Sequence, residues 1–289
     1  MKSIRYFFEG FALLILFAFF KICTPMTASQ IGGWLGRHIG PSLAASRKAR
    51  RHIKVAFPDI DKKEQDEIIK GMWDNLGRII AEYPHLERIS RNHTTIIDAK
   101  ILKGELEKNQ AAIFFGGHIG NWEINSVAVL VQLNHGVDIT YRAPNNPWTS
   151  ALLNKARTLN GRITGYPKSQ ESGRKILQAM KDKKTLGILI DQKYNQGLDV
   201  PFFGQSAMTN PIFVQLCQKY KCPLIPIRNE RLNGCNFSVK TYPPITLFED
   251  DGTPRKVDDI ILEAHHIMEE WIKERPKQWI WLHRRWKDI

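Results

Sequence analysis

The sequence predicts an α/β protein, a single domain with a central mixed, largely parallel sheet flanked by helices. Three observations lead to this prediction. Short apolar runs of strand length alternate with segments of helical periodicity over residues 59–289. Three of these runs end in polar residues, at His118, Arg142 and Asp191, and the carboxyl ends of parallel strands gather at one edge of a sheet. An uninterrupted apolar segment from Gly10 to Phe20 precedes this region.

Composition restricts the partners that this chain is expected to bind. Its 289 residues suffice for one large domain or two modest ones with a buried core. The formal net charge of +13 indicates an anionic partner, which is nucleic acid, an acidic membrane face or a phosphorylated substrate. The four cysteines show no C-x-x-C spacing, which argues against a zinc ribbon or a disulfide scaffold and fits a reducing compartment. A secreted, disulfide-bearing protein is the lesser alternative.

The N-terminal apolar segment has three interpretations. The uninterrupted run from Gly10 to Phe20 is only 11 residues long, whereas a membrane-spanning helix needs about twenty. An extension from Tyr6 to Met26 reaches that length if Glu9 and Lys21 lie near the two interfaces. The segment is therefore a cleaved signal peptide, a spanning anchor or a helix that lies in the membrane surface. Lys21 and the residues after it make a poor cleavage region.

A basic cluster follows the apolar segment and favours membrane attachment. Its members are Arg37, Arg47, Lys48, Arg50, Arg51 and Lys54. No acidic residue lies among them, which is typical of contact with anionic lipid headgroups on the cytoplasmic side. A basic, solvated loop is the alternative. We predict that residues 1–58 form a membrane-associated helix and a basic juxtamembrane segment, and that residues 59–289 form the remaining domain.

The predicted elements after residue 58 follow from capping signals and periodicity. Asp61, with Glu64 three positions later, caps a core helix whose apolar positions recur at helical spacing to Tyr83. Strands are predicted at residues 111–115, 137–141, 185–190, 224–228 and 237–242. Helices are predicted from Pro147, at residues 172–180, from Pro211 to Tyr220 and at residues 257–273. We expect a polar connection at residues 87–95 and a loop or short strand at 161–165.

Two features near the C-terminus have less specific interpretations. His265 and His266 are adjacent and cannot share one helix face, so we expect them at the surface or partly packed, and not as metal ligands. The segment Trp279–Lys287 interleaves aromatic and cationic residues. That composition suits a membrane interface or nucleic acid, and a core-plus-surface helix explains it about equally well.

The segment Phe114–Glu123 (FFGGHIGNWE) carries the most specific chemistry in the chain. Its paired glycines permit a sharp turn between a strand and the following helix. A histidine held at one ring nitrogen by a carboxylate can take a proton from a hydroxyl with the other. Five positions on a regular helix turn two side chains about 140° apart, so contact between His118 and Glu123 requires His118 to lie in the turn before the helix. A strand-end histidine beside a solvated glutamate is the alternative.

The same segment is similar to the H-x-G-N-W-E block of the bacterial lipid A biosynthesis (lauroyl/myristoyl) acyltransferases. These carry a glutamate where the related glycerol-phosphate acyltransferases carry an aspartate. Other segments resemble family landmarks in family order: the N-terminal apolar helix and residues 50–58, 141–147, 191–192, 201–204 and 281–286. The resemblance covers nearly the whole chain.

The resemblance implies a bacterial inner-membrane enzyme whose catalytic domain faces the cytoplasm. Such an enzyme moves a fatty acyl chain from acyl carrier protein to a hydroxyl of a Kdo-bearing, phosphorylated lipid A precursor, which is an anionic glycolipid. By the family's motif, His118 is the general base and Glu123 its partner. The predicted substrate-binding residues are Asn121, Arg142, Arg162 and Asp191. Attack of a hydroxyl on a thioester needs a base, an oxyanion stabiliser and exclusion of water, so we predict no metal and no cofactor.

Two rival functions remain open at the level of sequence. An acyltransferase of the same fold could use acyl-CoA and act on another glycolipid or phosphoglycolipid. A membrane-anchored nucleic-acid-binding protein would explain the net charge and the aromatic C-terminal segment, but the chain carries no nucleic-acid-binding motif. We therefore predict the membrane surface, and not nucleic acid, as a partner.

Overall fold

A seven-stranded mixed sheet forms the centre of the molecule in the computed structural model, which describes residues 2–108 and 110–286. The strands are β1 (Thr94–Ile97), β2 (Ala112–Gly116), β3 (Val137–Tyr141), β4 (Gly165–Pro167), β5 (Thr185–Leu189), β6 (Leu198–Phe202), β7 (Gln205–Thr209), β8 (Leu224–Asn233) and β9 (Asn236–Thr241). The main sheet has the order β1-β9-β8-β2-β5-β3-β4, and β6 and β7 form a separate antiparallel pair. Within the main sheet only β8 and β9 pair antiparallel. The predicted mixed, largely parallel sheet is confirmed.

Helices flank this sheet and precede it. They are α1 (Lys2–Ile22), α2 (Pro25–Ile39), α3 (Ala45–Ala56), α4 (Lys62–Glu82), α5 (Leu86–Asn92), α6 (Ala99–Glu107), α7 (Glu123–Leu133), α8 (Pro147–Arg157), α9 (Gln170–Lys181), α10 (Ile212–Tyr220) and α11 (Val257–Glu274). Short 3₁₀ turns lie at Gly40–Ser42, Tyr83–His85 and Pro276–Gln278.

Strand β2 shows why the centre of the sheet reads as a continuous apolar run. All five of its residues are buried, as expected of a parallel strand covered on both faces. Because side chains alternate across a strand, Ile113 and Phe115 belong to one apolar core and Phe114 belongs to the other. The strand therefore joins the two larger cores and brings its carboxyl end to the middle of one edge of the sheet.

The N-terminal helices pack closely on the rest of the chain. Helices α2 and α4 meet through glycines, and a Cβ atom at Gly36 would lie 2.0 Å from the Trp73 carbonyl oxygen. Helix α3 contributes Ala49 and Ile53 to one of the two cores. The predicted boundary after residue 58 remains a prediction. The segment Ser3–Ile22 is long and apolar enough to cross a bilayer by length and composition alone.

Most predicted elements are present, with some differences in extent. The Asp61 carboxylate caps α4 by accepting the Glu64 backbone N–H at 2.7 Å. Residues 87–95, which we expected to be a polar connection, form most of α5 and the start of β1. Strand β8 extends past the predicted end at Arg228 to Asn233, because its outer half pairs with β9.

Of the three interpretations of the C-terminal segment, only placement in the core agrees with the structure, and the expectation that His265 lies at the surface or is partly packed is wrong. The side chains of Trp279, Trp281, Arg285 and Trp286 are almost completely buried, so the indole rings cannot lie at headgroup depth or stack on nucleic acid. Lys287, the last residue of that predicted segment, lies outside the described residues. His265 is also buried, and its Nδ1 atom donates to the Pro201 carbonyl at 2.7 Å, whereas its neighbour His266 is exposed.

Candidate active site

The three polar positions that follow predicted strands meet at one edge of the sheet. Strand β5 lies between β2 and β3 in the sheet, and Gly116 at the end of β2 pairs with Leu189 at the end of β5. His118 and Asp191 each follow two residues after that pair, and Arg142 directly follows β3. Parallel pairing in this register explains why residues 73 positions apart lie side by side. The predicted convergence of strand ends is confirmed.

Asp191 is the carboxylate that holds His118. Its Oδ1 atom lies 2.7 Å from the His118 Nδ1 atom, and its Oδ2 atom accepts the His118 backbone N–H at 2.7 Å. The Trp279 indole N–H donates to the same Oδ2 atom at 2.7 Å. Gly117 makes this approach possible, because a Cβ atom there would lie 3.1 Å from Asp191 Oδ2 and 2.1 Å from the Met268 methyl group. His118 is therefore held at its backbone N–H and at the Nδ1 atom of its ring.

The charge of Asp191 determines which nitrogen of His118 carries the proton. Complete burial opposes ionisation of this carboxyl, but its interactions with His118 and the nearby His283 outweigh burial and hold its pKa well below the ordinary value. An ionised Asp191 can only accept hydrogen bonds, so the His118 Nδ1 atom is protonated and the Nε2 atom of the neutral ring keeps its lone pair. The Gln192 Nε2 atom lies 3.2 Å from this His118 Nε2 atom.

Glu123 is the first residue of α7, and its carboxylate has other partners. The Glu123 Oε1 atom accepts from the Tyr83 hydroxyl at 2.6 Å, the Arg157 guanidinium at 2.9 Å and the Trp122 indole at 3.2 Å. The predicted location of His118 in the turn before the helix is confirmed. The predicted direct contact is wrong, because the strand-end carboxylate Asp191 occupies the His118 Nδ1 atom while Glu123 is held by these three donors.

Arg157 and Tyr83 form a compact charged cluster with Glu123. Burial raises the pKa of Tyr83, and the adjacent carboxylate of Glu123 raises it further. Burial alone would lower the pKa of Arg157, but Glu123 and Tyr83 outweigh it, so the guanidinium stays protonated. The guanidinium also lies over the Tyr141 ring, 4.9 Å from its centroid. The Arg157 Nε atom is buried and has no hydrogen-bond partner among the described residues.

A cavity of about 540 Å³ joins these groups. Its polar lining includes His118, Glu123, Arg142, Arg157, Gln192 and His283. Its apolar lining includes Phe114, Val129, Ile176, Ile188, Phe213 and Leu216. A largely apolar cleft with a few convergent polar groups is the usual form of a small-molecule site, and the apolar part suits a hydrocarbon chain.

His283 forms a second imidazole wall of the cavity. Its ring centroid lies 4.7 Å from that of His118. Burial, together with the nearby His118, lowers the pKa of His283 to about 4, so this ring is neutral at physiological pH. Its Nε2 atom is buried without a partner among the described residues. His283 is placed here because the buried tryptophans around it anchor the C-terminal segment in the core.

Two residues predicted to bind substrate lie outside the cavity lining. The Asn121 side chain is fully buried and donates to the Glu82 carboxylate at 2.8 Å, so it supports the turn instead of facing a ligand. Arg162 is half exposed and pairs with the surface residue Glu87 at 2.8 Å. Arg142 does line the cavity, and Asp191 lies behind the His118 ring.

Four residues of the cavity lining or its support were missed by sequence reasoning. They are Tyr83, Arg157, Gln192 and His283. Gln192 and His283 lie in two of the segments that resemble family landmarks, 191–192 and 281–286, and that resemblance was the available signal for both. Tyr83 and Arg157 sit at the ends of a helical apolar pattern and of a surface helix, where nothing in the sequence points to a site.

No cluster of three or more His, Cys, Asp or Glu side chains is arranged to hold a metal ion within residues 2–108 and 110–286. Metal independence remains a prediction. The chemistry that these residues can support is proton transfer by the His118 Nε2 atom at a cavity that also carries a fixed positive charge at Arg157.

Comparison with known proteins gives a consistent result. Residues 1–288 match the family described as bacterial lipid A biosynthesis acyltransferase. A lipid A biosynthesis acyltransferase of Haemophilus influenzae is 24% identical over 271 residues, covering 88% of this chain and 81% of that protein. A lipid A biosynthesis palmitoleoyltransferase of Escherichia coli is 22% identical over 296 residues, covering 98% of this chain and 92% of that protein. A lipid A biosynthesis acyltransferase of Shigella flexneri matches to the same extent.

Proposed function

Because the chain belongs to the bacterial lipid A biosynthesis acyltransferase family, we propose that it transfers a fatty acyl chain from acyl carrier protein to a hydroxyl of a Kdo-bearing lipid A precursor. One observation carries this proposal. The His118 ring is held by an ionised carboxylate at Nδ1 and presents its basic Nε2 atom at a cavity with an apolar interior. That arrangement serves the activation of an alcohol beside a bound acyl chain.

The reaction begins when the acceptor hydroxyl takes the position near His118 Nε2 that the Gln192 amide occupies in this structure. His118 removes the hydroxyl proton as the oxygen attacks the thioester carbonyl. A carbon–oxygen bond forms, and the tetrahedral oxyanion then collapses and breaks the carbon–sulfur bond. The protonated His118 returns the proton to the departing thiolate. Asp191 stabilises the imidazolium that exists between the two proton transfers.

Arg157 is the group that we assign to the oxyanion. It is positively charged, lines the cavity and has a buried Nε–H without a partner among the described residues. Glu123 and Tyr83 hold this guanidinium from one side. We therefore assign Glu123 to the positioning of Arg157, and Asp191 to the orientation of His118. A fixed cation in a water-excluded site stabilises developing negative charge without reorganisation at the moment of reaction.

Part of the basic cluster, on α3, suits together with Arg284 the phosphates and carboxylates of the acceptor. Lys48 and Arg51 lie one turn apart on α3, near Arg284. Partial burial lowers the pKa of Lys48, and the charges of Arg284 and Arg51 lower it further. None of the three makes an ion pair within the described part of the chain. Arg284 directly follows His283, so an anionic headgroup bound there would lie beside the catalytic cavity.

The headgroup site has a matched test on one helix. Arg51→Gln removes a cation that has no ion pair among the described residues, whereas Arg50→Gln removes one that pairs with Asp66 of α4. We expect Arg51→Gln to raise KM for a phosphorylated acceptor about ten-fold, the equivalent of one charge-assisted hydrogen bond. Arg50→Gln should leave KM within about two-fold, in line with a surface ion pair. An equal increase in KM in the two variants would contradict the assignment of this cluster to the headgroup.

The overall proposal is tested with purified enzyme, a labelled acyl-carrier donor and a panel of lipid A precursors, with products identified by mass. We expect mass addition of one acyl chain and at least a 10²-fold loss of turnover in His118→Ala. Preference for acyl-CoA over the carrier-bound donor would establish the alternative, an acyl-CoA-dependent transferase for another glycolipid. No transfer to any precursor by a folded, membrane-bound preparation would contradict the proposal.

We place the enzyme at the cytoplasmic face of the inner membrane. The exposed apolar side chains of α1 and the basic residues of α3 support attachment to an anionic bilayer. Nucleic acid is a poorer partner for this chain, because the aromatic residues of the C-terminal segment are buried. Retention of the wild-type protein on anionic vesicles, and its release by removal of residues 1–22, tests the attachment.

A further inference from the structure

Helix α1 is apolar over most of its circumference and has two different environments. One stripe faces the protein, and its members are Tyr6, Gly10, Leu13, Phe17 and Phe20. The opposite stripe faces outward, and its members are Ile4, Phe8, Phe11, Ile15, Phe19 and Ile22. Both recur at helical spacing, so they occupy separate faces. Eight large apolar side chains of α1 are exposed, a patch of the kind that marks a lipid or protein contact.

The protein-facing stripe is attached to the body near both ends of α1. Near the start, the Asn146 side chain donates to the Tyr6 carbonyl at 2.9 Å and to the Glu9 carboxylate at 3.0 Å. Near the end, the His85 Nε2 atom donates to the Phe20 carbonyl at 2.8 Å. The two attachments are 14 residues apart, about 21 Å along a helix axis. Helix α1 therefore lies along the body of the protein over most of its length.

This docking is incompatible with a helix that crosses the bilayer. The hydrocarbon core is about 30 Å thick, so a spanning α1 would draw the elements beside it into hydrocarbon. Helix α8 and the preceding Asn146 contact the first half of α1, and residues 142–155 include the exposed side chains of Arg142, Asn145 and Lys155. Exposed polar side chains and irregular backbone are not tolerated against lipid. A helix that lies in the membrane surface satisfies both faces of α1.

The protein-facing stripe also contacts the charged cluster of Tyr83, Glu123 and Arg157. The Phe17 ring stacks on the Tyr83 ring, with centroids 5.8 Å apart and planes inclined by 22°. The Tyr83 hydroxyl donates to Glu123 and accepts from Arg157 at 3.0 Å. Phe17 is only 6% exposed and belongs to the same core cluster as Tyr83. Only one aromatic ring thus separates the membrane helix from the charged groups of the cavity.

We propose that α1 is a membrane-surface helix with two functional faces: the Phe8–Ile15–Phe19 face binds the lipid bilayer, and Phe17 on the other face positions Glu123 and Arg157 through Tyr83. The bilayer is the occupant because the exposed face is apolar along the helix and because α3, two helices later in the chain, carries cations without acids. The turnover readout of this inference rests on the proposed function, whereas its topology and binding readouts do not.

Topology is read with single cysteines at the two ends of α1. Ser3→Cys and Lys21→Cys, each in a Cys23→Ser background, lie off the lipid-facing stripe and are exposed to a membrane-impermeant maleimide in inverted and right-side-out membrane vesicles. A surface helix places both thiols on the same side of the membrane, so both react in the same vesicle orientation. Reaction of the two thiols from opposite sides would establish a spanning helix and overturn the proposal.

The two faces are separated by paired variants. Phe8→Ser, Ile15→Ser and Phe19→Ser together should reduce flotation with phosphatidylglycerol vesicles at least ten-fold and leave kcat with detergent-dispersed substrate within about two-fold. Phe17→Ala should retain flotation and lower kcat about ten-fold or more. Loss of concentration-dependent self-association in the triple variant, with flotation unchanged, would assign the exposed face to a second copy instead of lipid.

A double-mutant cycle distinguishes positioning from general destabilisation. Tyr83→Phe removes the hydroxyl contact to Glu123 and should lower kcat with little change in KM. If Phe17 acts through Tyr83, Phe17→Ala should have a much smaller effect on kcat in the Tyr83→Phe background. Phe17→Leu, which keeps apolar volume, should partly restore kcat. Additive effects, or a fall in melting temperature with kcat unchanged, would overturn the positioning role. Failure of wild-type acyl transfer would count against the proposed function alone.

Discussion

Replacing Asp191 by Asn tests the central geometry of the site. The carboxylate is fully buried and accepts three hydrogen bonds, from the His118 ring, the His118 backbone and the Trp279 indole. An amide of the same shape has one oxygen and one NH₂ group. In the Asp191→Asn variant the NH₂ group must therefore face one of these three donor groups. The least costly adjustment is a change of tautomer at His118, in which the ring proton moves from Nδ1 to Nε2 and Nδ1 becomes an acceptor.

The change of tautomer sets the expected magnitude. With its proton on Nε2, His118 can no longer accept a proton from the acceptor hydroxyl. Loss of a general base costs about 10²–10⁴-fold, and the corresponding Asp→Asn change in a serine protease triad, a known example, costs about 10⁴-fold. We expect Asp191→Asn to lower kcat by about 10³-fold. One lost charge-assisted hydrogen bond and one donor left unpaired should destabilise the fold by about 3 kcal/mol.

The assay combines steady-state turnover with thermal unfolding. Trp279→Phe is the matched control, because it removes one hydrogen bond to the same Asp191 oxygen without altering the tautomer of His118. We expect a fall in kcat below about ten-fold for this control, since only a neutral donor is lost. Turnover of Asp191→Asn within ten-fold of the wild type, or equal losses in the two variants, would falsify the orientation of His118 by Asp191.

Four further outcomes are expected. Glu123→Gln should lower kcat at least about ten-fold, but less than Asp191→Asn does, because it only weakens the interaction that positions Arg157. Burial, with a neighbouring arginine, lowers the pKa of His265 to about 3. The contribution of the neutral His265 side chain to stability is therefore fully present above the unfolded-state pKa of about 6.5 and decreases as the pH falls below it. His265→Gln should therefore reduce the acid-induced loss of stability by about 2–3 kcal/mol at pH 4.5, whereas His266→Gln should not, as measured by thermal melting. Gly77→Ala should destabilise by about 1–3 kcal/mol because its Cβ would lie 2.1 Å from the α2 backbone, whereas Gly104→Ala, with open space around it, should stabilise by up to about 1 kcal/mol in chemical denaturation. A chelator should leave turnover unchanged. Inhibition by the chelator that added metal reverses would contradict this.

The edge of the sheet that carries the site was predictable from sequence, but the pairs within it were not. The polar residues after three apolar runs were sufficient to place His118, Arg142 and Asp191 at one edge, because parallel strands share their direction. Which carboxylate meets the histidine depends on strand order and register. Strand β5 lies directly beside β2 with Gly116 opposite Leu189, and nothing in the sequence specifies that neighbour.

Sequence proximity favoured the wrong carboxylate for a physical reason. Glu123 lies five residues from His118, but it begins α7 and its side chain projects toward the 3₁₀ turn after α4 and toward α8, where Tyr83 and Arg157 bind it. A contact that bridges a turn and a helix depends on the direction in which the chain leaves the turn. That direction is set by tertiary packing, here through the buried Asn121 side chain and its bond to Glu82, and no local pattern encodes it.

The aromatic C-terminal segment and the apolar helix α1 were difficult to interpret from sequence for a different reason. The C-terminal tryptophans alternate with cations as in an interfacial segment, yet Trp279, Trp281 and Trp286 are buried because each indole N–H finds an internal acceptor. Helix α1 is the converse case, since the outer half of its apolar residues stays exposed. A helix that packs on protein with one face and on lipid with the other needs apolar side chains on both. Its composition is then uniform, so hydrophobic periodicity cannot reveal which face is which, and the Phe17–Tyr83 contact provides that information.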